Sequence, residues 1–331
     1  MEVQRTWDPS NGSYERSVRD FKTCIVQWSW YLEMVLLGVI ISGILVGGVY
    51  ALFSVGLSVL LGAMRVFNIA HGTILTASAF VAIEVARMTG WSAAPLLVVG
   101  AFTGMCLGIP LEMLAIRPFR RGKVFGGDME TGTMLTTLAF VLVGRDLITH
   151  FTQAQTWSFP FGSYPTFAVS LGALRVGVMY VIAFALSIVL ILLAAVVLKF
   201  TQPGRAVRGI ASDHRAASLL GINVNRYSLG TAMVSSGLAG LAGALLAMAF
   251  AGVSYDTGDN LLFLGFIIVV LGGIGSVPGT LIAAIALGIV ESIGNFYSSG
   301  NWGEILAFAL LVLVIVFRPQ GLLGKPAIVR T

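Results

Sequence analysis

The chain has 331 residues, of which 57% are hydrophobic and only 11% are charged, and its formal net charge is +5. Charged residues make up about 25% of a typical soluble domain, so this composition excludes an ordinary soluble globular protein, which would need a polar surface. The two cysteines, Cys24 and Cys106, have no partner at CxxC or metal-ligand spacing, and we therefore predict neither a metal centre nor a disulfide.

The chain starts with a polar leader, which we predict over residues 1–30. Eight charged residues of mixed sign fall within its first 22 positions, which is too many for a cleavable signal peptide. Trp28, Trp30 and Tyr31 follow, and such a cluster is typical of the aromatic belt at a membrane interface. After the leader we expect a membrane domain over 31–317 and a tail over 318–331.

Apolar segments long enough to cross a bilayer then follow one another. Five windows contain no Asp, Glu, Lys or Arg: 34–64, 88–111, 176–198, 227–255 and 260–290. A helix needs about 20 apolar residues to span the hydrocarbon, whereas the strands of a membrane barrel would alternate apolar and polar residues. We therefore predict an all-α, polytopic membrane protein with about eight to ten crossings. They are expected near 34–64, 68–88, 92–115, 131–151, 176–199, 228–250, 261–277, 279–297 and 304–317.

Glycines line or interrupt several of these segments. Gly47-Gly48 is a possible break that would divide the long first segment into a helix and a re-entrant piece. Gly237, Gly240 and Gly243 recur at near-helical spacing, which favours close helix packing in lipid. The Gly/Pro-rich stretch 271–279 lies between two apolar segments and predicts a chain reversal or a discontinuous helix. No Lys-Ser/Thr follows it, so a phosphate-binding loop is excluded.

The basic residues concentrate on one side of the predicted crossings. Three clusters occupy short connections and the tail: Arg117, Arg120, Arg121 and Lys123; Lys199, Arg205, Arg208, Arg215 and Arg226; and Arg318, Lys325 and Arg330. The connections on the other side contribute only Arg87, Arg145 and Arg175. The positive-inside rule places the clusters and the C-terminus in the cytoplasm, and nine crossings then place the leader outside. This distribution argues for orientation in the membrane rather than for a nucleic-acid-binding face.

The basic connection at 200–226 predicts a short amphipathic helix. Ser212 is expected to cap it, Asp213 suits its positive end, and Gly221 can terminate it. Leu219 and Leu220 would form a narrow apolar stripe. Such a helix either docks a soluble partner or lies on the membrane surface.

No set of residues indicates an enzyme. The chain contains no HExxH, GxSxG or Walker motif, and no Arg–carboxylate pair is evident deep in a crossing. Asn68 and His71 are two polar residues about one turn apart at the start of an apolar helix. Buried polar groups in a membrane are costly unless satisfied. Either they hydrogen-bond to neighbouring helices and cap this one, or they belong to a solute pathway.

Six segments together resemble the permeases of branched-chain amino acid ABC importers (Liv-type). They are GVYAL at 48–52, MRVFNIAHG at 64–72, IRPFR at 116–120, GRA at 204–206 with ASLLGIN at 217–223, LGGIGSVPG at 271–279 and RPQGLLG at 318–324. The matches occur in the family's order over residues 35–325. The aromatic, uncharged stretch 152–174 has no match in the pattern, and the leader is longer than is usual for the family.

The resemblance implies an ABC importer permease fold in a bacterial inner membrane, with the C-terminus in the cytoplasm. It also implies partners: a related second permease or a second copy of this chain, two cytosolic ATP-binding subunits, an external solute-binding protein and membrane lipid, but no nucleic acid. ATP would be hydrolysed on those subunits, so this chain would need no cofactor. The loop would contain the coupling helix, formed by Ser212, Asp213, His214, Arg215, Ala216, Ala217, Leu219, Leu220 and Gly221. Arg215 stands where the EAAxxxG motif of ABC importers has Glu.

The residues expected to line the pathway or to pack helices are those of the two polar or glycine-rich interruptions: Asn68, His71, Gly72, Gly272, Gly273, Gly275, Pro278 and Gly279. The predicted function is import of branched-chain amino acids or similar small polar solutes. Two alternatives remain open on the sequence alone. One is a permease of the same family for urea, short amides or aromatic carboxylates, and the other is a self-sufficient secondary transporter.

Overall fold

The computed structural model describes residues 13–120, 129–171, 174–250, 252–297 and 302–324. Residues 1–12 of the predicted leader, Arg121 and Lys123 of the basic cluster, and residues 325–331 of the predicted tail lie outside this part of the chain, as does the side chain of Arg215. The described helices are α1 (Ser13–Met64), α2 (His71–Thr89), α3 (Ala93–Pro110), α4 (Arg117–Arg120), α5 (Met129–Thr152), α6 (Val178–Phe200), α7 (Gln202–Ser212), α8 (His214–Leu219), α9 (Val224–Ala249), α10 (Thr257–Gly272), α11 (Val277–Tyr297) and α12 (Trp302–Phe317).

Within the described ranges, seven helical stretches are long and apolar enough to cross a membrane. Two shorter apolar helices, α10 and α12, accompany them. The polytopic, all-α prediction is confirmed, whereas the predicted count of eight to ten crossings is only approximate, since seven of the described stretches have the length of a crossing.

Helix α1 is continuous, so the break considered at Gly47-Gly48 does not occur. It is 52 residues long, about 78 Å at 1.5 Å per residue, and it joins residues 13–30 of the leader to the first crossing. The glycines instead allow close packing on α11. A Cβ atom at Gly47 would lie 2.8 Å from the carbonyl oxygen of Ala284, and one at Gly43 would lie 2.7 Å from that of Gly288. Small residues let helices approach closely where lipid provides no hydrophobic force between them.

Helix α9 lies at the centre of the bundle and is mostly buried. It packs against α1, α2 and α3 through small side chains. A Cβ atom at Gly240 would collide with the carbonyl oxygen of Gly100, and one at Gly243 would collide with that of Leu75. The predicted packing role of these α9 glycines is confirmed.

Two ends of the bundle can be distinguished. At one end, which we call the α8 end, α1, α7, α8 and α9 come together. At the other, the hairpin end, strands β1 (Ala168–Leu171) and β2 (Leu174–Gly177) form a small antiparallel hairpin. The backbones of Trp157 and Val253 are joined there by hydrogen bonds of 2.9 and 2.8 Å. The sequence did not predict this hairpin, because the segment has no apolar–polar alternation of useful length.

Candidate functional site

The connection at the α8 end contains two short helices, where the sequence predicted one. Thr201 caps α7, since its Oγ1 accepts a hydrogen bond from the amide of Gly204 at 3.2 Å. The expectation that Ser212 caps the second helix was wrong. Its hydroxyl donates to the carbonyl of Arg208 at 3.1 Å and so belongs to the last turn of α7. Asp213 caps α8, because its Oδ1 accepts from the amide of Ala216 at 3.0 Å.

Helix α8 ends at the predicted glycine and leaves two leucines uncovered. Gly221 has a φ of +82°, and its amide donates to the carbonyl of Ser218 at 3.1 Å. The next amide, of Ile222, donates to the carbonyl of Ala217 at 3.1 Å, which completes a Schellman ending. Leu219 and Leu220 are 87% and 82% exposed. We call this pair the α8 tip.

A buried polar network lies close to α8, between the end of α3 and the start of α9. Glu112 and Arg120 form an ion pair of 2.9 Å, with side chains only 1% and 8% exposed. Ser228 donates to the same Glu112 oxygen at 2.8 Å, and Arg120 also donates to Asn225 Oδ1 at 2.8 Å and to the Ser228 hydroxyl. Glu112 lies in a π-helical turn, Leu111–Ile116, that directly follows Pro110.

This network also affects His214, the first residue of α8. Burial, and secondarily the positive charge of Arg120, lowers the pKa of His214 below its usual range. The folded protein therefore favours the neutral ring at this position. This network was not predictable from the sequence, because Asn225 and Ser228 are more than 100 positions from Arg120.

Helices α2 and α10 begin inside the bundle with their N-termini close together. A Cβ atom at Gly72 would collide with the carbonyl oxygen of Gly258, and a Cβ atom at Gly258 would collide with the carbonyl oxygen of Gly72. The two helices run in opposite directions. Gly275, three residues after the end of α10, donates its amide to Ser58 near the α8 end, whereas the end of α2 places Arg87 4.0 Å from the Trp157 ring at the hairpin end. Interrupted helices whose positive N-terminal ends meet inside the membrane are a recurrent feature of solute sites in transporters.

The predicted polar pair lies at the start of α2. Asn68 Oδ1 accepts from the amide of Ala70 at 3.1 Å, and His71 Nε2 donates to the carbonyl of Phe53 on α1 at 3.3 Å. Both side chains are fully buried. Asn68 Nδ2 and His71 Nδ1 have no hydrogen-bond partner among the described residues. The hydrogen bonds of Asn68 to Ala70 and of His71 to Phe53 favour a structural role for the pair.

A second ion pair joins α5 to the first turn of α10. Arg145 Nη1 lies 3.1 Å from Asp259 Oδ2, and the guanidinium carbon is 5.2 Å from the centre of the Tyr255 ring. The side chains of Arg145 and Asp259 are 47% and 28% exposed. Arg145 lies in α5, within the crossing predicted over 131–151, and not in the connection to which its charge was assigned. The sequence did not predict this pair, which joins α5 to the start of the shorter apolar helix α10.

The Gly/Pro-rich stretch forms a tight reversal between α10 and α11. Gly273 and Gly275 have φ values of +98° and +78°, which strongly favour glycine. A Cβ atom at Gly279 would collide with the carbonyl oxygen of Gly272, and Pro278 lies in the first turn of α11. The amides of Leu322 and Leu323 donate to the carbonyls of Leu271 and Gly272 at 2.8 and 3.1 Å. This reversal is a packed structural element near the α8 end, away from the meeting point of α2 and α10.

Known proteins that are similar to this chain in sequence are membrane transport permeases. The family described as "Branched-chain amino acid transport system / permease component" matches residues 39–315, which is most of the chain. The chain belongs to this permease family. The permease is 27% identical over 300 residues to BraD, a high-affinity branched-chain amino acid transport permease protein of Pseudomonas aeruginosa, covering 87% of this chain and 96% of the relative.

Two further relatives come from Salmonella typhimurium. The permease is 29% identical to the high-affinity branched-chain amino acid transport permease protein LivH, covering 87% of this chain and 95% of the relative. It is also 25% identical to the high-affinity branched-chain amino acid transport permease protein LivM, and this match covers 83% of this chain and 68% of the relative. Family membership favours the amino acid permease prediction over the two alternatives left open by the sequence. The permease is a multi-pass membrane protein and a transport subunit.

The predicted site residues of the permease fall in three separate places. The residues from 212 to 221 lie together at the α8 end, and Asn68, His71 and Gly72 lie at the start of α2. Gly272, Gly273, Gly275, Pro278 and Gly279 form the reversal that is closed by residues 322–323. Their roles in coupling and in the pathway stay predictions.

Proposed function

We propose that this permease is one of two related permease subunits of an ATP-driven importer of branched-chain amino acids. Two cytosolic subunits hydrolyse ATP, and an external binding protein delivers the amino acid. The substrate class follows the names of the relatives BraD and LivH. The observation that carries the coupling part of the proposal is the exposed α8 tip.

The α8 tip is suited to a groove on a soluble subunit. Leu219 and Leu220 are mostly exposed, and they are the large hydrophobic side chains exposed among the described side chains of residues 201–226. Contiguous exposed apolar side chains mark interaction sites. Helix α8 has only six residues, about 9 Å, which is too short an apolar face for stable anchoring on a lipid surface. Its two capped ends hold the tip in a fixed orientation, as a coupling element requires.

We further propose that the α8 end, with the C-terminal tail, faces the cytoplasm of a bacterial inner membrane. The α8 end carries more basic residues than the hairpin end, as the positive-inside rule predicts for a cytoplasmic side. The hairpin end carries Arg87 and Arg175. The basic residues near the α8 end are Arg65, Arg120, Lys199, Arg205, Arg208, Arg226 and Arg318. Single-cysteine variants test this orientation. In a background without Cys24 and Cys106, a membrane-impermeant maleimide applied outside should label Phe161→Cys but not Leu220→Cys. The opposite labelling would refute the orientation.

The docking of the ATPase subunits can be tested at the tip itself. We expect the double variant Leu219→Asp, Leu220→Asp to lose co-purification of the ATPase subunits, because each leucine would be replaced by a charge in an apolar contact. Its matched control is Phe161→Asp, at the hairpin end, where the side chain is 99% exposed. Both variants should reach wild-type folded yield. Wild-type ATPase retention by the tip variant would refute the coupling role of α8.

The requirement for ATP has its own test. Proteoliposomes with both permeases, both ATPase subunits and the binding protein should take up L-leucine only with internal ATP. Robust uptake driven by a gradient with this permease alone would refute the proposal. We also expect Arg215→Glu to separate ATP hydrolysis from transport without affecting insertion. Unchanged leucine-stimulated hydrolysis and uptake in that variant would contradict the role of this position.

A further inference from the structure

We propose that Arg145 and Asp259 form a transient site for the amino acid zwitterion inside the membrane, where Arg145 takes the α-carboxylate and Asp259 the α-ammonium group. This inference rests on the proposed function and names the part of the pathway that recognises the substrate. Its basis is an exposed pair of opposite charges located where two interrupted helices meet.

Arg145 lies well inside the crossing that α5 forms. It lies 16 residues after Met129 and seven before Thr152, which is about 24 Å and about 10 Å from the two ends of α5. The hydrocarbon core of a bilayer is about 30 Å thick. Arg145 is therefore inside the apolar crossing rather than at the interface.

The Arg145 side chain is exposed at this depth, together with polar neighbours. The Arg145 side chain is 47% exposed in this single chain, and its neighbours Asp146 and Asn260 are exposed as well. Charged groups in a crossing almost always face a water-filled cavity or another protein segment, since contact with lipid is costly. In the proposed importer this polar patch therefore faces the second permease and the solute pathway between the two, away from lipid.

The chemistry of the patch matches both charges of an amino acid. The ion pair uses one guanidinium nitrogen and one carboxylate oxygen, over 3.1 Å, so a zwitterion can insert between the two groups. The planar guanidinium suits a carboxylate, and the adjacent N-terminus of α10 favours the same negative group. Phe263 lies one helical turn after Asp259 and is 63% exposed, which provides an apolar surface for a branched side chain.

A purely structural ion pair predicts different behaviour from a substrate site. If the pair only joined α5 to α10, neutral substitutions would reduce folded yield, and exchanging the charges would restore it. If it binds substrate, the substitutions leave folding intact and lower transport. Exchange would not restore transport, because it places an arginine against the positive end of α10.

The experiment uses the complete importer in proteoliposomes, with L-leucine as the probe. We expect Arg145→Gln and Asp259→Asn each to lower the leucine taken up per ATP hydrolysed by about tenfold, while folded yield and ATPase retention stay at wild-type levels. The control is Arg87→Gln, since Arg87 has a similarly exposed side chain (40%) paired with Glu84 at 3.7 Å at the hairpin end. It should transport like the wild type.

Three outcomes would overturn the inference: normal uptake per ATP in both variants, equal loss in the control, or full recovery in the Arg145→Asp, Asp259→Arg exchange. If Arg145→Gln does not accumulate in the membrane, Arg145→Lys replaces it in the experiment. This variant keeps the positive charge but loses the two parallel N–H donors of the guanidinium group. Normal leucine uptake by Arg145→Lys would also refute the site. A wild-type importer that does not transport leucine would instead refute the proposed function. The two failures are thus distinguishable.

Discussion

Removing Glu112 tests whether the buried network between α3 and α9 stabilises the permease. Glu112→Ala would leave the Arg120 side chain, only 8% exposed, without its counter-charge. Breaking a buried pair from one side costs about 3–5 kcal/mol. The loss of hydrogen bonds leads to a similar figure. Glu112 accepts two hydrogen bonds, and each hydrogen bond to a charged group contributes about 1.5–3 kcal/mol to stability. We therefore expect the free energy of unfolding to fall by about 3–5 kcal/mol.

The assay is reversible unfolding by sodium dodecyl sulfate in mixed micelles, followed by tryptophan fluorescence. The control is Glu84→Ala, which removes an exposed pair of 3.7 Å to Arg87 and should change stability by less than about 1 kcal/mol. The double variant Glu112→Leu, Arg120→Met should lose less than Glu112→Ala, because no unpaired charge stays buried. A loss below about 1 kcal/mol for Glu112→Ala would refute the reasoning, as would a double variant that loses the sum of both single changes.

Three further outcomes are expected in the same assay. Gly72→Ala should lose about 3 kcal/mol, the upper end of the usual cost of overpacking, because its methyl group meets the α10 backbone, whereas Gly230→Ala, with open space around it, should gain about 0.5–1 kcal/mol. His71→Ala should lose about 2–5 kcal/mol by cavity formation and should reduce folded yield more than leucine affinity; a selective loss of affinity would contradict this. Burial, then Arg120, lowers the pKa of His214, so the folded state binds its proton less readily than the unfolded state. Stability should therefore fall as the pH drops below about 6.5, and His214→Gln should flatten this slope.

Features encoded by neighbouring residues were predictable from the sequence. The charge-free windows gave the crossings because the bilayer selects for local hydrophobicity. The helix ending at Gly221 was predictable because a left-handed residue favours glycine whatever surrounds it. The exposed leucines of the α8 tip follow from the same short stretch.

Features that depend on distant partners were not predictable in this way. Gly47 looked like a break, yet it serves packing, because α11 lies against it and only Gly fits there. Arg145 was counted with a connection although the predicted crossing 131–151 contains it, and its pairing with Asp259, 114 positions away, was not predictable. The Glu112 network likewise needs α9, and a single sequence carries no direct sign of such a pairing.

The reversal after α10 also constrains the order in which the permease is assembled during synthesis. The carbonyls of Leu271 and Gly272 receive their hydrogen bonds from the amides of Leu322 and Leu323, which leave the ribosome 51 residues later. Helices α11 and α12 must be threaded into the bilayer during that interval, while the end of α10 is still open to water or to a chaperone. The last turn of α10 therefore gains these two hydrogen bonds only after the residues of α11 and α12 have been synthesised.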